Sequence, residues 1–293
     1  MQNEWVEVSL AISEQQEDET AALFVWAGAT GVEVRDVSTL CAEKEGRVRV
    51  VAYVEQGSEH AFTDRLIPVL TETLCIPEEQ LQAQFTFTSI TRQEWNEFWK
   101  RTFDIQRIGR FVIRPTWKEV EPASDETVFV IDPGMAFGTG LHATTQLVMY
   151  ALERLHAEGF SCKNVLDMGT GTGILSMVCA VLYPDVVIDA VDNDPDAVET
   201  ALEVIHNNGL AQRIRVMQTW QERPVELILA NIQRDVLLEL TPLFMRNLVP
   251  GGRMVFSGIL ADQTIEIVEK TALPLVYQDA KDEWRLLVFE KPA

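Results

Sequence analysis

Covalent and metal staples are scarce in this chain of 293 residues. Its four cysteines, Cys41, Cys75, Cys162 and Cys179, are scattered and include no C-x-x-C pair. That pattern argues against a disulfide framework or a structural zinc site and for reduced thiols in a cytoplasmic protein. The four histidines, His60, His142, His156 and His206, share no ligand spacing, so no metal is expected. No run of eighteen apolar residues occurs, which excludes a membrane helix. The start, MQNEWVEVSLAISEQQEDE, lacks the basic opening and apolar core of a signal peptide. Positive charge is also in deficit: 24 Lys and Arg face 45 Asp and Glu, a net charge of −21. Such a field repels a phosphate backbone and draws basic partners, so direct nucleic-acid binding is not expected. The same charge also serves solubility alone. A monomer is expected.

A hydrophobic content of 47% is ordinary for a globular protein long enough for two domains. The first ninety residues alternate strand and helix patterns. A β-rich run around Trp5–Leu10 precedes a helix from Ser13, its expected N-cap, to Ala27. The strands GVEVRDV and GRVRVVAYVE follow, then a helix over His60–Leu74, and QLQAQFTFTSI reads as a last strand. The order β-α-β-β-α-β is that of a ferredoxin-like domain over residues 1–90. In TRQEWNEFWKRTF, residues Trp95, Phe98, Trp99 and Phe103 fall at helical spacing, giving one aromatic face on a charged helix. This predicts a packing helix, within a linker and connector over 91–124.

From about Val128 the pattern becomes that of an α/β domain, residues 125–293. VFVID, NVLDMG, VVIDAVD, RIRVMQ, ELILAN and RMVFSG are apolar strand candidates with helical stretches between most of them. Near-continuous apolar strands separated by helices predict a mostly parallel Rossmann-like sheet of seven strands, covered on both faces. LPLVYQDA and EWRLLVFEK close the chain as a terminal hairpin, which adds one antiparallel strand.

Three signals at the expected carboxyl edge of that sheet carry chemistry. In VLDMGTGTGILS, Gly169, Gly171 and Gly173 allow a tight turn and close backbone approach to a ligand. The dinucleotide fingerprint G-x-G-x-x-G fails here: counted from Gly171, its last glycine falls at Ser176. That weakens an NAD-binding oxidoreductase as the alternative. Asp167, before the glycines, opposes a phosphate but suits the cationic methionine portion of a sulfonium cofactor. In AVDNDPDAV, Asp192 is placed to accept hydrogen bonds from ribose hydroxyls, and Asp194 to cap the helix that opens at Pro195. Asn231 ends the strand LILAN, where its carbonyl can hold an acceptor N–H; the other reading is an N-cap for a helix starting near Ile232.

With those residues in view, DPGMAFGTGLHATT, Asp132 to Thr145, resembles D-P-G-x-A-F-G-T-G-x-H-x-T-T, the signature of the bacterial ribosomal protein methyltransferase A (PrmA) family. The likeness extends through EWNEFWKRTF, GRFVIRPTW, LDMGTGTGILS, VDNDPDAV, LILAN, GGRMVFSGILADQ and EWRLLVF. It implies a class I methyltransferase that transfers methyl groups from S-adenosyl-L-methionine to amino groups of a basic ribosomal protein, the eleventh of the large subunit. It further implies that the N-terminal domain captures that protein, that the linker moves, and that Thr145, Gly169, Asp192 and Asn231 contact the cofactor. Phe137, in the signature, covers the cofactor or the amine, or is simply packed. His142 relays a proton or braces its loop. The usual family turn is G-C-G-S-G, where this chain has GTGTG, and its usual A-N-I-L-A stands here as ANIQRD, placing Gln233, Arg234 and Asp235 beside the acceptor. Lysine methyltransferases of the electron-transfer flavoprotein β-subunit share much of the catalytic domain and supply the alternative substrate.

Overall fold

The computed structural model describes residues 5–13, 16–29, 31–36, 47–74, 76–90, 103–132 and 142–292. They divide into two units, Met1–Thr102 and Phe103–Ala293. In the first, strands β1 (Trp5–Ser13), β2 (Gly31–Asp36), β3 (Arg47–Glu55) and β4 (Thr86–Ile90) form one sheet in the order β2-β3-β1-β4, every neighbour antiparallel. Helix α1 (Glu17–Trp26) connects β1 to β2, and α2 (Glu59–Leu74) lies between β3 and β4. These are two interleaved split β-α-β units, the ferredoxin-like arrangement. The inward alternation Val6, Val8, Leu10 and Ile12 meets Val48, Val50, Ala52 and Val54 in one core closed by Phe24, Phe62, Leu66 and Leu70. Phe24 and Phe62 meet edge to face at 5.7 Å.

Two local expectations are corrected. Ser13 ends β1 instead of capping α1, and its hydroxyl donates to Gln16 Oε1 at 2.7 Å. QLQAQFTFTSI is not one strand: Glu78–Gln84 forms a helix, α3, and the strand begins only at Thr86. Pro77 precedes that helix, Glu78 and Glu79 suit the positive end of its dipole, and Leu81 is buried. Trp95, Phe98 and Trp99 of the aromatic segment lie outside the described residues, whereas Phe103 is buried.

The second unit holds two sheets. Strands β5 (Gln106–Ile108) and β6 (Phe111–Arg114) form an antiparallel hairpin, and β7 (Thr127–Val130) pairs in parallel with β6. VFVID therefore belongs to a separate three-stranded sheet, and residues 103–124 include two of its strands besides connector. The reason is burial: Phe111, Val112 and Ile113 are fully buried, and Phe111 stacks on Phe129 at 5.5 Å. The outer edge of β7 is held by a side chain that imitates a strand neighbour. Asn208 Oδ1 accepts from Val130 N at 2.8 Å, and its Nδ2 donates to Val130 O at 2.9 Å.

The larger sheet runs β10 (Ile214–Met217), β9 (Val187–Val191), β8 (Asn164–Met168), β11 (Val225–Asn231), β12 (Leu248–Leu260), β14 (Trp284–Glu290), β13 (Leu275–Lys281). Its pairs are parallel from β10 to β12; β14 is antiparallel to both β12 and β13. Successive residues of β11 serve opposite faces. Leu227 and Leu229 join the core with α4 (Ala143–Ala157), α5 (Ile174–Leu182) and α6 (Pro195–Asn207). Ile228 and Ala230 join the core with α7 (Arg234–Asn247) and α8 (Thr264–Thr271). Burial on both faces explains the unbroken apolar run, at about 1.5–3 kcal/mol for each large side chain. A buried carboxylate interrupts the apolar run of β9. Asp189 in β9 accepts from Arg215 Nε (2.9 Å), Arg223 Nε (2.6 Å) and Trp220 Nε1 (3.1 Å), which anchors the helix-free connection from β10 to β11. Cys162 and Cys179 are buried free thiols, and burial pushes Cys162 up to about 12. Among the described residues no helix is long and apolar enough to cross a membrane.

Candidate active site

β8 is the point from which the strand order departs in both directions, β9 on one side and β11 on the other. The crevice outside the carboxyl ends of such strands is where open α/β sheets bind ligands. The turn after β8 brings all three glycines to positive φ, +77° at Gly169, +56° at Gly171 and +82° at Gly173. Gly169 N and Thr170 N donate to Val191 O at 2.8 and 3.0 Å, tying the turn to β9, and Gly173 stands at the N-cap of α5. The space beside two of these glycines belongs to the protein's own packing. A Cβ on Gly169 falls 2.3 Å from Ile232 Cγ2, and one on Gly173 falls 2.8 Å from Ile205 Cδ1.

Asp167 is fully buried one residue before the end of β8. Its Oδ2 accepts from Thr170 Oγ1 at 2.7 Å and Ser176 Oγ at 2.6 Å, so it fixes the turn and the first turn of α5 together. Its Oδ1 has no hydrogen-bond partner among the described residues. Burial pushes this carboxyl above the usual carboxylate range, against the opposing pull of the Ser176 and Thr170 hydrogen bonds. The unfolded carboxyl titrates near 3.8. Between that value and the raised folded one, the native state holds the proton more tightly, so stability falls as pH rises through the window. Asp167→Asn keeps an oxygen for both hydroxyls and cannot ionise. Its Tm, measured against the wild type without ligand, is expected to gain as pH rises from about 4 to about 8, by about 2–4 °C per kcal/mol recovered. A difference that stays flat with pH contradicts this reading.

Asp192 follows β9 and is half-buried. Its Oδ2 accepts from Gly171 N at 2.9 Å and its Oδ1 from Asp194 N at 3.1 Å, and each oxygen retains lone-pair capacity. Asp194 caps α6 by accepting from Asp196 N at 3.0 Å, with Pro195 in the first turn. The two neighbouring carboxylates thus divide their work: one secures the helix, the other faces the glycine turn.

Asn231 ends β11. The helix beyond it starts only at Arg234, with Gln233 in the cap position, so Asn231 is not an N-cap. Its Nδ2 reaches Thr145 Oγ1 at 3.5 Å, a long bond, and Thr145 is itself buried in the first turn of α4. Asn231 Oδ1 is shielded from solvent and has no hydrogen-bond partner among the described residues. An amide carbonyl in that condition costs about 1–3 kcal/mol.

His142 caps α4: its Nδ1 accepts from Thr144 N at 3.4 Å and lies 2.7 Å from Thr144 Oγ1. Its ring meets Trp284 edge-on at 4.9 Å. Burial lowers its pKa below that of free imidazole, with Glu283 opposing, so the neutral ring prevails at pH 7. Phe137, with residues 133–141 of the signature, lies outside the described residues. The signature's first residue is described: Asp132 accepts from Thr116 N at 2.6 Å and Thr116 Oγ1 at 2.9 Å. Arg234 is bound to Asp235 at 2.6 Å and Glu266 at 3.4 Å at a largely exposed rim.

The structure therefore gathers Asp167, Gly169, Gly171, Gly173, Asp192, Asn231 and Thr145 at one sheet edge. Sequence reasoning missed Thr170 and Ser176, whose hydroxyls hold Asp167, and Ile232, which fills the space beside Gly169. A hydroxyl three residues after a buried acid was the available signal for Thr170. No group of three His, Cys, Asp or Glu able to hold a metal occurs among the described residues.

Comparison with known proteins bears on this arrangement. The family model described as ribosomal protein L11 methyltransferase (PrmA) matches residues 4–292. The chain is 35% identical over 286 residues to the ribosomal protein L11 methyltransferase of Heliobacterium modesticaldum, covering 90% of this chain and 89% of that one. It is 31% identical over 309 residues to that of Geobacter metallireducens, with 99% of both chains covered. The solved structure of ribosomal protein L11 methylase from Lactobacillus delbrueckii subsp. bulgaricus aligns with a TM-score of 0.59 at 28% identity, over 65% of this chain and 100% of that one. The chain belongs to the ribosomal protein L11 methyltransferase (PrmA) family.

Proposed function

We propose that this enzyme transfers methyl groups from S-adenosyl-L-methionine to lysine side-chain or N-terminal amines of ribosomal protein L11, and that Asn231 receives the amine. The observation that carries the proposal is the buried Asn231 carbonyl, which has no hydrogen-bond partner among the described residues, at the switch point of the sheet. The residues fit the cofactor. Asp192 would take the ribose hydroxyls, the Gly169–Gly173 turn would supply backbone, and Asp167 Oδ1, without a partner among the described residues, would suit the cationic methionine end. Bound there, S-adenosylmethionine would supply an electrophilic methyl carried on a sulfonium, with a neutral thioether as the leaving group.

The chain's task is to bring in a cation and present a neutral amine. A free lysine has a pKa of about 10.4 and an α-amine about 7.7–8.0, so either must shed a proton before attack. The net charge of −21 gathers a basic protein from solution. At the reacting point a full negative charge would hold the proton on the amine, whereas desolvation releases it. Asn231 accepts an N–H without adding such a charge, and orientation of the lone pair then supplies most of the acceleration. The proton leaves to water.

His142 is assigned to bracing because its Nδ1 is engaged with Thr144. His142→Asn, which retains a capping oxygen, is expected to keep kcat within about threefold with an unchanged pH profile; His142→Ala costs about 0.5–2 kcal/mol of stability. Loss of an acid or base limb from the kcat profile in His142→Asn would restore the relay role.

The ribosomal substrate is favoured over the electron-transfer flavoprotein β-subunit because the family match runs through the N-terminal unit as well as the catalytic one. That unit is assigned to substrate capture. Purified enzyme is incubated with cofactor and each candidate protein, and intact masses are recorded. Whole-methyl increments on L11 alone are expected; increments on the flavoprotein subunit alone would reverse the assignment.

A further inference from the structure

We propose that Ile232 is a positioning residue for methyl transfer, acting through Asn231 and the glycine turn at once; this rests on the function proposed above. Asn231 is flanked by two strands, and the residue after it lies where both neighbours lack a side chain. In register, Ala230 of β11 pairs with Met168 of β8, and Asn231 pairs with Ser257 of β12. Met168 is followed by Gly169, just past the end of β8, and Ser257 is followed by Gly258 within β12. Both glycines hold positive φ, +77° and +81°. Ile232 Cγ2 lies 2.3 Å from the place of a Cβ on Gly169. On the other side the Ile232 backbone O, C and N lie 2.7, 3.1 and 3.1 Å from the place of a Cβ on Gly258.

Ile232 is therefore wedged between the two strands that flank Asn231. Its backbone rests against Gly258, and its branched side chain presses on Gly169, the first residue of the turn assigned to the cofactor. Because close-packed groups transmit displacement instead of absorbing it, the Cβ branch of residue 232 sets the spacing between the turn and Asn231 Oδ1. That spacing fixes how the donor methyl and the acceptor amine meet. An Asn followed by a residue without a Cβ branch leaves the turn unsupported on this side.

The chemistry of the wedge provides a test that size alone does not. Ile232→Val keeps the Cβ branch and loses only Cδ1. Ile232→Leu keeps the volume and loses the branch. Activity on L11 is measured with wild type alongside, together with S-adenosylhomocysteine affinity and the amide resonance of Gly169. Ile232→Val is expected to keep kcat within about twofold. Ile232→Leu is expected to lose about tenfold in kcat with KM for the protein little changed, a displacement well under 1 Å being enough for such a loss. The Gly169 amide shifts in Ile232→Leu and stays in place in Ile232→Val. Ile267→Ala, a buried truncation in the same core on α8, reports what lost stability alone does to kcat. The proposal is overturned by an unmoved Gly169 amide in Ile232→Leu, by equal kcat in the two variants, or by an Ile232→Leu loss no larger than that of Ile267→Ala. A wild type that methylates nothing on L11 counts against the proposed function instead, and the Gly169 resonance then decides the wedge by itself.

Discussion

Asn231→Ala is expected to lower kcat for L11 methylation by about 10²–10³-fold while the Kd for S-adenosylhomocysteine moves by less than about threefold, the scale seen when one preorganised polar contact to a reacting group is removed. The asymmetry follows from where the side chain points. Nδ2 is directed at Thr145 and Oδ1 has no partner among the described residues, so truncation removes an acceptor that none of them uses. The folded state loses little, because an unsatisfied carbonyl is a burden it no longer carries. Steady-state kinetics and calorimetry on one preparation separate the two effects. Equal losses in kcat and cofactor affinity would reduce Asn231 to a structural role. Asn231→Asp supplies a second check: its carboxylate still accepts the N–H but favours the ammonium form, so the pH at which activity rises is expected to move upward.

The second large effect is on binding. Asp192→Ala is expected to weaken S-adenosylhomocysteine by about 10–100-fold, since a hydrogen bond to a charged group contributes about 1.5–3 kcal/mol. With saturating cofactor, kcat is expected to hold within about fivefold of the wild type, as Asp192 touches no reacting atom. Two losses combine here: the ribose partner, and the acceptor for Gly171 N, which helps keep the turn in its binding shape. The neighbouring change Asp194→Ala makes the contrast, because it removes the cap of α6 and is expected to lower stability instead of affinity. An unchanged dissociation constant in Asp192→Ala would remove the ribose assignment.

How much of this was readable in the sequence depends on the range over which each feature is determined. The Asp194 cap was legible from a single Asp-Pro step, and the Asn231 position from an apolar strand that ends in a polar residue. The ferredoxin-like order and the terminal hairpin followed from alternation and turn chemistry along the chain. Asp167 was half legible. Its place before the glycines pointed to the cofactor, but its bonds to Thr170 and Ser176 exist only once the turn has folded back on α5. The sequence presents Gly169 and Gly173 as openings for a ligand, whereas their missing side chains make room for Ile232 and Ile205, residues far along the chain. No local pattern encodes that. The small sheet shows the same limit: β6 and β7 have strand composition, but nothing in either names the other as its parallel partner. The helix Glu78–Gln84 is legible in composition, since Gln, Leu and Ala favour helix and carry no β-branch.

The central claim is that the turn after β8 holds a sulfonium nucleoside with its reactive end toward Asn231. A crystal structure with S-adenosylhomocysteine tests it most directly. The account predicts ribose hydroxyls on the Asp192 carboxylate and the sulfur on the side of the crevice occupied by Asn231 Oδ1. A ligand bound elsewhere, or one whose sulfur faces away from Asn231, contradicts it.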